Sequence, residues 1–141
     1  MVSIRQLNEE KADRQAFLIE LFDNFDNSLT LTVSLINSYE LANEEFPVPD
    51  KLYHLVFDDY VSYQVHNRND LEITTPHDDI IHQIEGEARN EILINLIGEK
   101  EEELLVYELN LENHFLEIVC QMEPSIEEIE MEFEPEMELL N

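Results

Sequence analysis

Positively charged residues are scarce in this sequence. Seven Lys and Arg stand against 34 Asp and Glu among 141 residues, so the formal net charge is -27 at pH 7. Nucleic acids and anionic lipid surfaces are bound mainly through Lys and Arg, and a field of this sign repels them. The composition therefore argues against direct binding to nucleic acid or to a membrane, and it favours a basic protein as the partner.

Cysteine, glycine and long apolar runs are also scarce. The single cysteine, Cys120, cannot form an internal disulfide, and only two glycines interrupt the chain, so no glycine-rich linker divides it. No run approaches the ~18 apolar residues of a membrane span, and we identify no signal peptide. We therefore predict a cytoplasmic protein with a single α+β domain over residues 1–122 and an acidic C-terminal segment over residues 123–141.

The acidic excess is larger than solubility requires. A net charge of magnitude about 2 to 8 is enough to keep a small domain soluble. A charge of -27 opposes compaction through self-repulsion, although 43% hydrophobic residues are sufficient for a folded core. The charge therefore indicates a role outside folding: a cationic partner, electrostatic steering, or adaptation to high salt.

Apolar spacing predicts two helices. Residues 8–27 carry apolar side chains at helical intervals behind Asn8, which can cap the helix. Residues 88–97 do the same and end at Gly98, a typical helix terminator. The apolar run of residues 29–36 fits either a strand or a continuation of the first helix, since short apolar runs do not separate the two.

The remaining apolar segments are predicted to be strands, and in residues 52–57 and 60–66 the residues of the two faces alternate. Residues 52–57 and 60–66 are predicted to form one hairpin across Asp58 and Asp59, residues 80–85 a single strand, and residues 104–111 and 115–121 a second hairpin. These elements predict the α+β class: an antiparallel sheet of hairpins with one or two packed helices and an acidic C-terminal strand or tail.

A search for chemical motifs finds none with a defined mechanism. The histidines have no recognised metal spacing, and the cluster His77–His82 follows Pro76 and is interpreted as a loop. Cys120 is interpreted as a small buried apolar residue. No nucleophile elbow or phosphate-binding glycine loop occurs. We therefore predict no catalytic residue, metal or cofactor, and we expect that the protein is not an enzyme.

Two segments carry a resemblance to known proteins. Asp59–Asn67 (DYVSYQVHN) and Asn113–Ile126 (NHFLEIVCQMEPSI) are similar to a pattern in small, acidic, mostly uncharacterised bacterial proteins of the toxin-immunity type. In that pattern a tyrosine-rich strand precedes a helix, and a closing hairpin ends near a Glu-Pro pair. The resemblance covers residues 52–126, with Arg68 where the pattern has glutamate. It implies a sheet and a role in immunity, and it assigns no functional residue.

Four functions are compatible with these observations. The first is an immunity-type inhibitor that covers the cationic surface of a basic partner such as a nuclease toxin, which requires a focused acidic face with exposed Tyr or Phe. The second is a phage-type DNA mimic that blocks a DNA-binding defence, restriction or repair protein, which requires acids in two rows. An enzyme and a halophilic adaptation are the others. A homodimer is compatible with all four.

The candidate partner-binding residues come from the second half of the chain. Residues 77–141 hold 20 acids and two bases. The segment 123–141 has eight glutamates and no base, and its alternation fits either an edge strand or a disordered acidic tail. On charge density we predict that the partner contacts Glu101, Glu102, Glu103, Glu127, Glu128, Glu130 and Glu132.

Overall fold

Two antiparallel β sheets organise the part of the chain that the structure, a computed structural model, describes: residues 1–68 and 79–130. The elements are α1 (Ile4–Glu9), a 3-10 turn (Glu10–Ala12), β1 (Arg14–Asp23), β2 (Ser28–Asn37), α2 (Ser38–Asn43), β3 (Lys51–Asp58), β4 (Tyr60–Asn67), β5 (Ile81–Ile84), α3 (Gly86–Ile97), β6 (Leu105–Asn110), β7 (His114–Cys120) and β8 (Ser125–Ile129). Sheet I has the order β1-β2-β3-β8, and sheet II the order β4-β7-β6-β5. The predicted α+β class is confirmed.

The main hydrophobic core lies between the two sheets. Alternate residues of β2 and β3 point to it from sheet I, and alternate residues of β6 and β7 from sheet II. Phe57 and Tyr107 meet edge to face across it, with ring centroids 6.0 Å apart. Each such buried side chain contributes about 1.5 to 3 kcal/mol. The core includes Leu29, Leu31, Val33, Leu35, Tyr53, Leu55, Phe57, Tyr107, Leu109, Leu116, Ile118 and Cys120.

The N-terminal residues close the side of the sandwich where β8 and β5 lie. The Val2 amide donates to the Ile126 carbonyl at 2.9 Å, which pairs the N-terminus with β8. The Asn8 side chain exchanges two hydrogen bonds with the backbone of Ile81 in β5, at 2.9 and 3.0 Å. Leu7, which is fully buried, points into the core between these contacts. The N-terminal residues therefore cover part of the edge of β8 and part of the edge of β5.

Helix α3 covers part of the outer face of sheet II. Leu93 is fully buried and packs on Ile84, Val106 and Val119, which form a second, smaller core. The helix ends at Gly98, whose φ of 84° is the left-handed conformation that glycine adopts readily. Helix α3, β5 and the β6–β7 hairpin lie where the sequence predicts them. No helix among the described residues is both long and apolar enough to cross a membrane.

The predicted helix over residues 8–27 is wrong, because most of this segment is strand β1. It pairs with β2 along its length, and the register shifts between Leu18 and Glu20. This bulge inserts an extra residue, so the inward-facing Leu18 and Leu21 are three positions apart instead of two. Spacing by three is typical of a helix, and the bulge therefore gives a strand a helical apolar pattern.

The predicted hairpin of residues 52–66 is also wrong, although both strands exist. Strand β3 pairs with β2 and β8 in sheet I, whereas β4 pairs with β7 in sheet II. Only Asp59 separates them, and its φ of 54° is left-handed. A single residue cannot form the two-residue turn of a tight hairpin. The chain instead passes from one sheet to the other at this corner, and each strand keeps its apolar face toward the shared core.

Asn113, in the turn between β6 and β7, connects sheet II to the edge strand β1. Its amide exchanges two hydrogen bonds with the backbone of Leu18, both at 2.9 Å. Asn113→Ala should lower the free energy of unfolding by about 1 to 3 kcal/mol, since two partly buried backbone groups lose their partner. Urea unfolding measures the change. The control Asn95→Ala, on the exposed side of α3, should stay within about 0.5 kcal/mol, and an equal loss in both variants would contradict the assignment.

Candidate partner-binding surface

Four chain connections meet at one end of the sandwich. The strand registers place Ser28 opposite Asp58, Tyr60 opposite Cys120, and Cys120 opposite Leu105. The β1–β2 loop, the β3–β4 corner, the α3–β6 loop and the β7–β8 turn therefore lie at the same end. We call this region the acidic end: residues 23–27, 58–61, 97–104 and 121–123.

The acidic end concentrates carboxylates with almost no compensating base. Nine acids occupy it, all of them exposed, together with one lysine, Lys100. The other nearby base, Arg89 of α3, donates hydrogen bonds to the backbone carbonyls of Leu104 and Glu101, so it orders the loop. A strongly negative potential follows at this end. The nine acids are Asp23, Asp26, Asp58, Asp59, Glu99, Glu101, Glu102, Glu103 and Glu123.

Hydrogen bonds hold three of the four connections together. The Tyr60 hydroxyl donates to the Asp23 carboxylate at 2.6 Å, and this bond raises the pKa of Tyr60 to about 12. The Asn27 side chain donates to the Tyr60 carbonyl at 3.4 Å, and the Gln121 amide donates to the Asp59 carbonyl at 3.3 Å. The carboxylates of these three connections are thus carried on hydrogen-bonded backbone, which lowers the entropy lost when they bind a partner.

A groove of about 430 Å³ lies within the acidic end. The apolar side chains that line it are Val61, Ile97 and Leu104, and the carboxylates that line it are Glu99, Glu101 and Glu103, with Gln121 beside them. A Lys or Arg side chain has an apolar stem and a cationic head, and therefore needs both kinds of lining. The groove fits the chemistry of a basic side chain.

Large apolar side chains are exposed among these acids. Phe25, at the tip of the β1–β2 loop, has a relative exposure of 111%, and Met122, in the β7–β8 turn, is 51% exposed. Isolated apolar residues on a surface are common. However, Phe25 lies among carboxylates. A protein-binding surface requires this combination of an aromatic anchor and nearby charged residues.

The opposite end of the sandwich holds the paired bases. Arg14 donates to Asp50 at 2.7 Å and to Glu10 at 3.0 Å, and Lys51 donates to Glu10 at 2.7 Å. The hydrogen bond to Asp50 raises the pKa of Arg14, and the one to Glu10 raises the pKa of Lys51. Arg14 and Lys51 therefore neutralise Glu10 and Asp50 at this end, whereas in the described part of the acidic end only Lys100 accompanies the nine acids.

The predicted partner-binding residues divide between different places. Glu101, Glu102 and Glu103 lie in the acidic end. Glu127 and Glu128 lie within β8, opposite His54 and Tyr53, where successive residues point to opposite faces of the sheet. Glu130 follows β8, and Glu132 is outside the described residues.

Sequence reasoning missed the acids that the first half of the chain brings to the same end. These acids lie at the ends of strands or between strands, where aspartate is common: Asp23, Asp26, Asp58 and Asp59. Phe25 lies within residues 8–27, the segment whose apolar spacing predicts a helix. The only available signal was its position between Asp23 and Asp26, in a segment that a correct strand assignment would have made a loop.

A buried and a partly buried glutamate form a second acidic feature, on the outer face of sheet II. Glu108 and Glu117 are directly opposite on β6 and β7, and Glu108 is only 8% exposed. His66 Nε2 lies 3.9 Å from Glu117 Oε1. Burial, and next the Glu108 carboxylate, raise the pKa of Glu117, while His66 lowers it. Within residues 1–68 and 79–130, no group of three or more His, Cys, Asp or Glu side chains could hold a metal ion.

Glu117→Gln should stabilise the protein at pH 8 by about 0.5 to 1 kcal/mol, because it removes one of two like charges that face each other. The raised pKa means that the folded state holds the proton more tightly than the unfolded state, so the wild-type protein loses stability as pH rises from the unfolded value through the folded one. The advantage of the variant should therefore disappear near pH 4. Urea unfolding at both pH values, with exposed Glu112→Gln as control, checks this, and a destabilised variant at pH 8 would contradict it.

Cys120 is fully buried in the main core. Burial raises the pKa of its thiol to about 12, so the reactive thiolate is strongly disfavoured.

Comparison with protein-family models, curated proteins and solved structures found no match to this chain.

Proposed function

We propose that this protein is an immunity-type inhibitor, which neutralises a basic protein such as a nuclease toxin by covering its cationic surface with the acidic end. The observation that supports this most is the composition of the acidic end, where nine exposed acids, one lysine and an exposed phenylalanine lie together. Carboxylates at such a surface accelerate association, and a desolvated aromatic anchor slows dissociation. The proposed compartment is the cytoplasm, where a lone thiol stays reduced.

A DNA mimic would need carboxylates spaced as phosphates in two rows along the body. The acids of the acidic end lie instead on four connections at one end of the sandwich, and the central strand β2 places the uncharged Thr30 and Thr32 on the outer face of sheet I. This arrangement favours a single docking site over a long groove-filling surface. We therefore propose an inhibitor, and the experiment must distinguish it from a DNA mimic.

The experiment first captures the partner and then tests whether the protein inhibits it. The immobilised protein is exposed to nuclease-treated lysate of its own source at about 150 mM salt, where the screening length is roughly 8 Å. One basic protein should be retained at one to one, and its toxic or nuclease activity should be blocked by the free wild-type chain. Retention of several DNA-binding proteins, all displaced by duplex DNA, would instead support a mimic. Retention of no basic protein would contradict both.

A further inference from the structure

Three of the four sheet edges are bonded to other parts of the chain. At the edge of β1, the turn between β6 and β7 bonds to the backbone of Ala16 and Leu18. At the edge of β8 the Val2 amide donates to the strand, and at the edge of β5 the Asn8 side chain bonds to the backbone of Ile81. Unpaired edge groups are a template for strands of other chains, and such contacts cover them. The fourth edge belongs to β4.

The outward edge of β4 presents backbone groups without a partner. The Arg68 amide donates to the β6–β7 turn at 3.2 Å, and hydrogen-bonded pairs alternate along an antiparallel ladder. By the register of β4 with β7, the residues whose backbone bonds to β7 are therefore Gln64 and His66. The N–H and C=O groups of Tyr63 and Val65 point the other way. Within the part of the chain that the structure describes, these groups of Tyr63 and Val65 have no hydrogen-bond partner.

Strand β4 also lacks the residues that protect an edge from other chains. Proteins commonly place lysine, other charged residues or proline on an open edge. The sequence of β4, YVSYQVHN, contains no Asp, Glu, Lys, Arg, Pro or Gly. The side chains of Val61 and Val65 are 41% and 39% exposed. The edge is therefore open and apolar in part, and its eight residues are sufficient to pair with a strand of another protein.

We infer that β4 binds an extended segment of the basic partner, which joins sheet II as an additional strand. The inference rests on the proposed function and specifies which part of the partner is bound and how. The position of the edge favours this occupant, because Tyr60 and Val61 belong to the acidic end and the open edge continues from it. A basic segment is attracted to this end, whereas a second copy of the chain, with a net charge of -27, is repelled by it.

Val61 connects the edge of β4 to the groove of the acidic end. It lines that groove together with Leu104 and three glutamates of the α3–β6 loop. Directly opposed residues of neighbouring strands have Cβ atoms about 4.5 to 5.5 Å apart. A Lys or Arg opposite Val61 can therefore place its apolar stem on Val61 and Leu104 and its cationic head among the carboxylates. Apolar residues farther along the segment would cover the exposed parts of Tyr63 and Val65. The segment thus has a basic residue at one end and apolar, strand-forming residues after it.

A synthetic peptide of this kind, acetyl-Lys-Val-Thr-Val-Thr-Val-amide, tests the inference on the full chain. It should bind with a Kd of about 1 mM, since a short strand makes few contacts. Amide hydrogen exchange by NMR gives the position. With about 10 mM peptide, the Tyr63 and Val65 amides should exchange about 10-fold more slowly than in the free protein, whereas Gln64 and His66 should be protected in both states. Unchanged exchange at both Tyr63 and Val65 would overturn the inference.

Matched peptides and one variant identify the mode of binding. N-methylation of every Val and Thr in the peptide removes the backbone donors and keeps the charge, and it should weaken binding at least 10-fold. Exchange of its Lys for Glu should also weaken binding at least 10-fold, because of the carboxylates of the groove. Val65→Pro removes an outward N–H and no bond to β7, so it should weaken binding about fivefold in a chain that circular dichroism shows to be folded. Equal binding of the N-methylated peptide would contradict strand addition.

Two further outcomes separate this inference from the proposed function and from a second copy. A basic protein that binds at the acidic end and leaves the Tyr63 and Val65 amides unprotected would overturn the inference and leave the proposed function intact. The free chain should sediment as a monomer. A dimer of the free chain in which both amides are already protected would mean that a second copy occupies the edge, and it would overturn the inference as well.

Discussion

The variant Asp59→Lys/Glu101→Lys/Glu103→Lys is expected to bind the captured basic protein roughly 100-fold more weakly than the wild-type chain, if each reversed charge costs about 1 kcal/mol. Two of these side chains line the groove of the acidic end, and Asp59 lies at the adjoining corner between the sheets. The loss should appear mainly as slower association, and it should shrink as salt rises. Biolayer interferometry at about 50 and 300 mM NaCl measures the association and dissociation rates at each salt concentration.

Two matched variants separate position from total charge. Glu44→Lys/Glu45→Lys/Glu112→Lys changes the net charge by the same amount, at exposed positions away from the acidic end. It should bind within about threefold of the wild-type protein, because charges beyond the screening length contribute little. Reversal of Glu127, Glu128 and Glu130 tests the remaining predicted residues that the structure describes. Equal losses in all three variants would mean that net charge, and not the acidic end, governs binding.

Local signals in the sequence were sufficient for the second half of the fold. Helix α3 has an apolar stripe and a terminating glycine, and β6 and β7 are two largely apolar runs on either side of a short turn. The first half could not be predicted in the same way. The bulge near Ile19 disrupts the alternation of β1, and the one-residue corner at Asp59 resembles a hairpin turn. The corner follows from the pairing of β4 with the distant strand β7, which local spacing does not encode, whereas the bulge lies in the pairing of β1 with the next strand, β2.

The acidic end was predictable only in part, for a related reason. The run of Glu101 to Glu103 is evident as a charge cluster in the sequence. The aspartates of the β1–β2 loop and of the β3–β4 corner are far from that run along the chain. They join it because antiparallel pairing brings the ends of four strands to one side. The total charge alone leads to the prediction of a basic partner, whereas the location of the proposed surface required the sheet topology.

Phe25→Ala is expected to weaken binding of the same partner by about 30- to 100-fold, or 2 to 3 kcal/mol, chiefly through faster dissociation. The Phe25 side chain is fully exposed, so no contact within the protein is lost and the free energy of unfolding should change by less than about 0.5 kcal/mol. Dissociation rates from biolayer interferometry and urea unfolding measure the two quantities separately.

Phe46→Ala is the matched control for Phe25, since Phe46 is also in a loop, is 82% exposed and lies on the connection between α2 and β3, away from the acidic end. Phe46→Ala should leave the association rate and the dissociation rate of the partner unchanged. Unchanged binding by Phe25→Ala would contradict an aromatic anchor at the acidic end and leave only the charges. If Phe25 acts on dissociation and the carboxylates act on association, the losses should be nearly additive in a chain that combines Phe25→Ala with the three lysine substitutions. A strong departure from additivity would mean that the aromatic ring and the carboxylates contact the same group of the partner.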